Sequence, residues 1–504
     1  MRLFLLLILS GLLTYAIVRR SVSQMTRTPI WLLWSVLMAP PLLTGAIMTW
    51  GKNIPTIPIA IAICLVCWGL YWRLLDLGRQ QPQPIRGETA IVEPTNSSSG
   101  SESEGSGEKT PIRPIDSEEE ATLRTCFPWN IFFLERIEYR PQAVLCRGKL
   151  RANSELAYQT IEQNVKNLFG DRFLVLFQTS LSTGKPFFAI VPNPQLEEIG
   201  HPAHRWTEYT IAILLLLLTF LPTTFFGAAL ARLGMRLDRT DVIDIIISGL
   251  PYALSLIGIL AARDLVRYVV ARFYRISTTL PYFIPLPFFP GTFGALVQLR
   301  SPIPHRQAVF DLGFASSVVG IIVTLPLLIW GLSQSTTMTL TKPSSIFSFQ
   351  SFDPRFSLLL SLLSKVILGE AFTTAQGIVL HPVAIAAYIG LLIITINLMP
   401  LRRFDGGYIV HAMFGQKPSV AIGQLSKIIL LLLGLIRFKA SGFVTTDLLF
   451  LSIVVSLIPA IDEPALNDVS DLNNWRDALG ILALSILVLT IVPIPPVLMQ
   501  LLGI

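Results

Sequence analysis

Arg263, Asp264 and Arg267 fall at i, i+1 and i+4 in the stretch Ala262-Arg263-Asp264-Leu265-Val266-Arg267, and Asp405 opens the stretch Asp405-Gly406-Gly407. Hydrolysis in an apolar setting needs an activated water, which a metal with three protein ligands and one open position can supply. Two of those ligands commonly come from His at i and i+4 on one helix face, with a Glu beside the first as general base. Residues 263–267 have that spacing without those side chains. Arginine is permanently protonated and has no lone pair to give, and two guanidinium groups repel a dication. Asp264 keeps a carboxylate, one methylene shorter than Glu. The five histidines, His201, His204, His305, His381 and His411, include no pair spaced four apart. Each reads as structural or interfacial. A cage of His305, His381, His411 and Asp405 would need several separate segments to converge. Asp264 and Asp405 could instead share a proton in aspartyl-type chemistry if they lay within a few ångströms of each other.

The elements that must position these groups are apolar helices. The chain has 504 residues, of which 52% are apolar and 14% charged, against about a quarter charged in a soluble globule. A polytopic α-helical membrane protein follows. The net charge of +7 suits basic loops at a membrane surface. It carries no dense Lys/Arg stripe with interleaved aromatics, so nucleic acid is not an expected partner. Cys64-x-x-Cys67 has the spacing of a redox or metal-binding pair but, in an apolar run, reads as two small buried side chains; the spacing of Cys126 and Cys146, in a polar region, fits no zinc pattern, and no disulfide framework is suggested.

Four regions are expected. Residues 1–76 carry three transmembrane helices, the first uncleaved, with basic flanks at Arg19, Arg20, Arg27, Arg73 and Arg79. Residues 77–120 form a flexible Ser/Glu/Pro-rich linker, and Glu118-Glu119-Glu120 reads as a solvated end. Residues 121–205 form a small soluble α+β domain. In it Ile137–Leu150 reads as one strand. Ala157, Ile161, Val165 and Leu168 mark a helix capped at Gly170, and two further strands join through Ser182-Thr183-Gly184-Lys185. Residues 206–504 form a second membrane domain. Its spans are expected near Ile211–Ala231, Val242–Ala262, Ala308–Trp330, His381–Met399, Leu425–Phe438, Leu448–Ile461 and Leu479–Val497, and Phe356–Leu368 is short enough to be re-entrant. Arg232, Arg236 and Arg239 would fall outside, in conflict with the positive-inside rule. Ending the second span at Ala262 leaves two readings of Arg263 and Arg267: charges paired within the membrane with Asp264 or Asp405, or anchors at its surface. Asp405 beside two glycines could also be a turn former.

Pro281-Tyr282-Phe283-Ile284-Pro285-Leu286-Pro287 is extended and apolar, and Gly291-Thr292-Phe293-Gly294-Ala295-Leu296 alternates. Backbone at membrane depth must be paired, so a hairpin is expected, with an edge that could bind an extended peptide by strand addition.

These stretches, with Asn397-Leu398-Met399-Pro400, Phe404-Asp405-Gly406-Gly407 and Glu463-Pro464-Ala465-Leu466-Asn467-Asp468, resemble the site-2 protease family of intramembrane zinc metalloproteases. The likeness is nearest to its cyanobacterial and chloroplast branch and covers about residues 125–504. The resemblance implies that Arg263 and Arg267 replace the family's two zinc histidines and that Asp264 stands at the position of its catalytic Glu. Asp405 stands at its third zinc ligand. Asn397, Pro400, Gly406 and Gly407 keep the surrounding motif. Gly294 lies in the hairpin stretch, and Gly320 is the last glycine of a Gly-Pro-x-x-Gly motif that reads Ser316-Ser317-Val318-Val319-Gly320. The family binds zinc; the loss of both histidines implies that this chain carries no cofactor. The expectation is therefore a site-2 protease-like fold without peptidase activity that binds or protects a membrane protein. The rival is an active intramembrane metalloprotease with an unorthodox site. A transporter would call for inverted repeats with broken helices, which are not seen. The expected partners are the bilayer and a transmembrane protein, with oligomeric state left open. The resemblance implies a cyanobacterial plasma or thylakoid membrane, or a plastid membrane, with the soluble domain cytoplasmic or stromal.

Overall fold

The computed structural model describes residues 31–36, 39, 67, 70, 117–140, 143–180, 184–193, 205–231, 242–286, 290–339, 349, 351–372, 376–401, 404–441, 447–457 and 465–502. Of residues 1–76, 31–36, 39, 67 and 70 are described, and all are helical. The rest of the three expected N-terminal spans, most of the 77–120 linker and the basic loop at 232–239 lie outside the described residues.

The linker gives way to structure at α1, Ser117–Thr125, slightly earlier than expected. Its acidic run is not simply solvated: Glu119 receives Arg172 at 2.7 Å and Glu120 pairs with Arg124 at 3.1 Å. The expected strand at 137–150 is two strands, β1 (Phe132–Arg140) and β2 (Ala143–Leu150). Pro141, which has no N–H to give a ladder, lies between them in the sequence. β1 was hidden by its charges, which pair across to β2 as Glu135–Lys149 and Glu138–Arg147. Helix α2, Ser154–Phe169, buries Ala157, Ile161 and Val165 at i, i+4 and i+8. Asn153 Oδ1 accepts from the N–H of Glu155, and Gly170 at φ 62° ends the helix, a conformation glycine takes without a Cβ clash. Strands β3 (Phe173–Thr179) and β4 (Pro186–Pro192) complete an antiparallel hairpin, and the sheet order is β1-β2-β4-β3. Its core is aromatic. Phe177 stacks on Phe188 at 4.2 Å, and Phe132 meets Phe188 edge-on at 5.0 Å.

The membrane domain begins with α3 (Arg205–Ala231) and α4 (Val242–Phe273). These lead into the expected hairpin of β5 (Tyr282–Pro285) and β6 (Thr292–Leu296), paired Tyr282↔Leu296 and Ile284↔Gly294. Gly294 adopts φ 110°, which suits only glycine. Then come α5 (Arg306–Ser333), β7 (Thr336–Thr339), α6 (Leu358–Leu368), β8 (Gln376–Val379) and α7 (Pro382–Asn397). They are followed by α8 (Asp405–Phe414), α9 (Gln416–Ser441), α10 (Asp447–Leu457), α11 (Asn474–Ile491) and α12 (Pro496–Leu502). Among the described residues five helices are long and apolar enough to cross a membrane: 208–231, 246–273, 306–333, 416–436 and 474–491.

Of the expected spans, one is a shorter helix than expected and one is described only in part. The 381–399 stretch is a 16-residue helix, α7, buried from Val383 through Leu391. Its apolarity serves packing inside the protein. The 448–461 span is an 11-residue helix, α10, with 458–461 outside the described residues. A third difference bears on the site: α4 runs through residues 263–267 and ends eleven residues beyond Ala262.

The soluble domain and the membrane domain are joined by isolated β-bridges from Asn467 to Phe177 and to His305. Leu466 O accepts from Phe177 N, and Asp468 N donates back to Phe177 O. On the other side, Leu466 N and Asn467 N donate to Ile303 O and Pro304 O. Ser470 Oγ and Asn467 Nδ2 both donate to Glu155 Oε2, at 2.7 and 3.2 Å.

Candidate functional site

Three helices build the site. The i, i+4 spacing puts Arg263 and Arg267 on one face of α4. A small-residue face of α5, with Gly313, Ser316, Ser317 and Gly320, lets neighbouring backbone come close. A Cβ on Gly313 would stand 2.5 Å from Asp405 O, so glycine is required for this approach. Asp405 is not in an isolated turn: it is the first residue of α8, and Gly406 continues the helix against Leu398, where a Cβ would lie 1.8 Å from the carbonyl oxygen. A carboxylate at a helix N-terminus also faces the positive end of the backbone dipole.

Asp405 takes one guanidinium on each oxygen. Arg263 Nη2 donates to Oδ2 at 2.7 Å and Arg267 Nη1 to Oδ1 at 2.8 Å. Ser317 Oγ adds a third bond to Oδ2 at 3.1 Å. Arg263 also reaches Asp264, Nη1 to Oδ1, at 3.2 Å. The Arg267 guanidinium lies 5.1 Å from the ring centre of Tyr408, a cation–π contact. Two guanidinium groups thus face two carboxylates, and the cluster is formally neutral. It is also buried: Asp405 is 0% exposed, Asp264 2%, Arg263 4% and Arg267 9%. The surface-anchor reading of the arginines is therefore overturned. An isolated charge would be too costly inside α4, and mutual pairing is what allows the helix to continue through it.

The other expected residues divide. Asn397 Nδ2 donates to Ile393 O at 2.8 Å, closing the last turn of its own helix. Pro400 is buried in the turn before α8. Gly320 lies beside the cluster, where a Cβ would sit 3.6 Å from Arg263 Cδ. Gly407 is buried in α8. His305 Nδ1 and His381 Nδ1 cap α5 and α7 by accepting from Ala308 N and Val383 N, and burial lowers the pKa of both imidazoles. His411 pairs with Asp468 at 2.9 Å. His201 and His204 lie outside the described residues. Ser317 and Tyr408 are site residues that the sequence reading missed. Their signal was positional: Ser317 stands on the small-residue face of α5, and Tyr408 one turn after Asp405.

Zinc does not fit this donor set. Arginine can only donate, and both oxygens of Asp405 are already engaged. Among the described residues no three His, Cys, Asp or Glu side chains converge as ligands.

Membrane-length helices enclosing a buried polar cluster, with a sheet-bearing insert, define a multi-pass helical membrane protein. Residues 252–436 match peptidase family M50, and residues 121–198 match the EGY3 middle domain. The chain therefore carries a peptidase family M50 (site-2 protease) domain, preceded by a domain of the EGY3 middle type. It is 27% identical over 413 residues to "Probable zinc metalloprotease EGY1, chloroplastic" of Oryza sativa subsp. japonica, covering 75% of this chain and 68% of that protein. It is 27% identical over 372 residues to "Probable zinc metalloprotease EGY2, chloroplastic" of Arabidopsis thaliana, covering 73% and 63%. To "Probable zinc metalloprotease EGY3, chloroplastic" of Oryza sativa subsp. indica it is 20% identical over 386 residues, covering 74% and 63%. The chain thus spans about two thirds of the length of these relatives. No solved structure matches it.

Proposed function

We propose that this chain is a non-hydrolytic member of its family that binds or protects a membrane-protein partner. One observation carries the reading: Arg263 and Arg267 each hold one oxygen of Asp405. In this reading the arginines stand at the family's histidine positions, Asp264 stands at its glutamate, and their fixed charge takes the place of the metal. The relatives are named as zinc metalloproteases; here the residues that would hold zinc neutralise one another. The aspartyl rival is disfavoured too. Arg263 bonds to both carboxylates, so neither needs to share a proton with the other.

What remains is a scaffold able to bind. Ile284 and Leu296 project exposed apolar side chains from the β5–β6 hairpin, whose edge suits an extended segment. The plastid names of the relatives support a plastid or cyanobacterial membrane, plasma or thylakoid. The exposed Arg272 and Arg275 at the end of α4 that leads to the hairpin support a cytoplasmic or stromal soluble domain.

The test is zinc content and cleavage of a single-span membrane substrate by the purified full chain. Sub-stoichiometric zinc and no cleavage are expected. Stoichiometric zinc with cleavage abolished by Asp405→Ala would establish an active metalloprotease instead.

A further inference from the structure

The last turns of α4 leave an open groove against α5, about 310 Å³ in volume, walled by Val269, Val270, Phe273, Phe314 and Ala315. Tyr274 and Asp311 lie at its polar end. The charge of Asp311 is already spent. Arg476 donates to both its oxygens at 2.9 Å, and the Tyr274 hydroxyl bonds to it as well. The groove is therefore apolar along its walls and neutral at its end. It lies at the end of the membrane-length segment 246–273.

Two exposed cations stand at this level. The Arg272 guanidinium lies 6.0 Å from the ring centre of Tyr268, and among the described residues neither Arg272 nor Arg275 forms an ion pair with a carboxylate. Arg275 has φ 57° and is the one described non-glycine residue with positive φ. It closes α4 through Ile276 N to Ala271 O and Arg275 N to Arg272 O, at 2.9 and 3.0 Å. This is a helix end that ordinarily takes glycine. The chain keeps a cation where the backbone favours glycine. Trp475, 55% exposed and 4.7 Å from the Arg476 guanidinium, adds an aromatic of the kind that marks a membrane–water interface.

We propose that this groove binds an anionic membrane phospholipid, with an acyl chain between α4 and α5 and the phosphate on Arg272 and Arg275. The apolar walls fit a chain and exclude a soluble anion as the whole ligand. Two cations with no carboxylate partner favour a net negative headgroup over a zwitterionic one.

The test uses the full chain in phosphatidylcholine vesicles to which brominated phosphatidylglycerol or brominated phosphatidylcholine is added. Trp475 quenching is read, with Trp475→Phe subtracting the other tryptophans. Phosphatidylglycerol should quench at a lower mole fraction, and the preference should fall roughly fivefold for each arginine changed to Gln. Arg275→Gly keeps the helix end, so its loss of preference cannot be ascribed to misfolding. Arg275→Lys should retain the preference. Ala315→Phe fills the groove and should reduce quenching by both lipids. Equal quenching by the two lipids in the unmodified chain would overturn the proposal. So would displacement of the brominated lipid by free glycerol 3-phosphate, which would point to a soluble phosphate ligand.

Discussion

Arg267 Nη1 stands 2.8 Å from Asp405 Oδ1 across 138 residues of sequence. With Arg263 on the other oxygen, the pair fastens α4 to α8 at a place where neither helix could carry its charge alone. Such pairs contribute little net stability over an apolar substitute, yet breaking one is costly because the partner is left charged and unpaired. Asp405→Ala should therefore destabilise the membrane domain by about 3–5 kcal/mol. Thermal unfolding in detergent checks this. A neutral Asp405→Ala would mean the guanidinium groups find water instead.

Ser317 supplies the third bond to Asp405. Hydrogen bonds to charged groups contribute about 1.5–3 kcal/mol, so Ser317→Ala should lower stability by that order and Ser317→Thr by less. The same unfolding measurement reads it.

Gly313 leaves no room for a side chain against the Asp405 carbonyl. Gly313→Ala should force α5 and α8 apart and cost about 1–3 kcal/mol, the usual penalty of overpacking. Gly258, where an added Cβ meets nothing within 4 Å, is the control: Gly258→Ala should be tolerated.

Burial pushes the Cys146 thiol up to about 12, with Cys126 adding and Arg124 opposing. A raised thiol pKa disfavours the thiolate in the folded state. Its stabilising contribution is thus fully present below the unfolded value, near 9.0, and is lost as pH rises from there towards about 12. In the native protein Cys146 should resist maleimide at pH 8 and react on unfolding. Rapid native labelling of Cys146 would contradict the burial argument.

Much of this architecture was legible in residue types. The membrane-length helices, the hairpin at Gly294 and the helix cap at Gly170 follow from apolar runs and from glycines that must adopt positive φ. The partnership of Arg263, Arg267 and Asp405 was one of two readings that the charges allowed, the other being a helix that ends at the membrane surface; burial and pairing decide between them. What was hidden depended on partners distant in sequence. The apolar run stops at Ala262, but α4 continues because Asp405, on another helix, pairs with its arginines. β1 was obscured by Glu135 and Glu138, whose cations come from β2. α7 is apolar all round because it is buried in the protein, and full burial in protein and immersion in lipid select the same side chains.

The central claim is that two fixed cations occupy the place of a metal. Its most direct test is metal content at zinc saturation, measured side by side for the unmodified chain and for the triple variant Arg263→His, Asp264→Glu, Arg267→His. The variant restores two nitrogen ligands at i and i+4 and frees Asp405 as a third. The account predicts no retained zinc in the unmodified chain and about one zinc per chain in the variant. One zinc per unmodified chain, lost on Asp405→Ala, would contradict it.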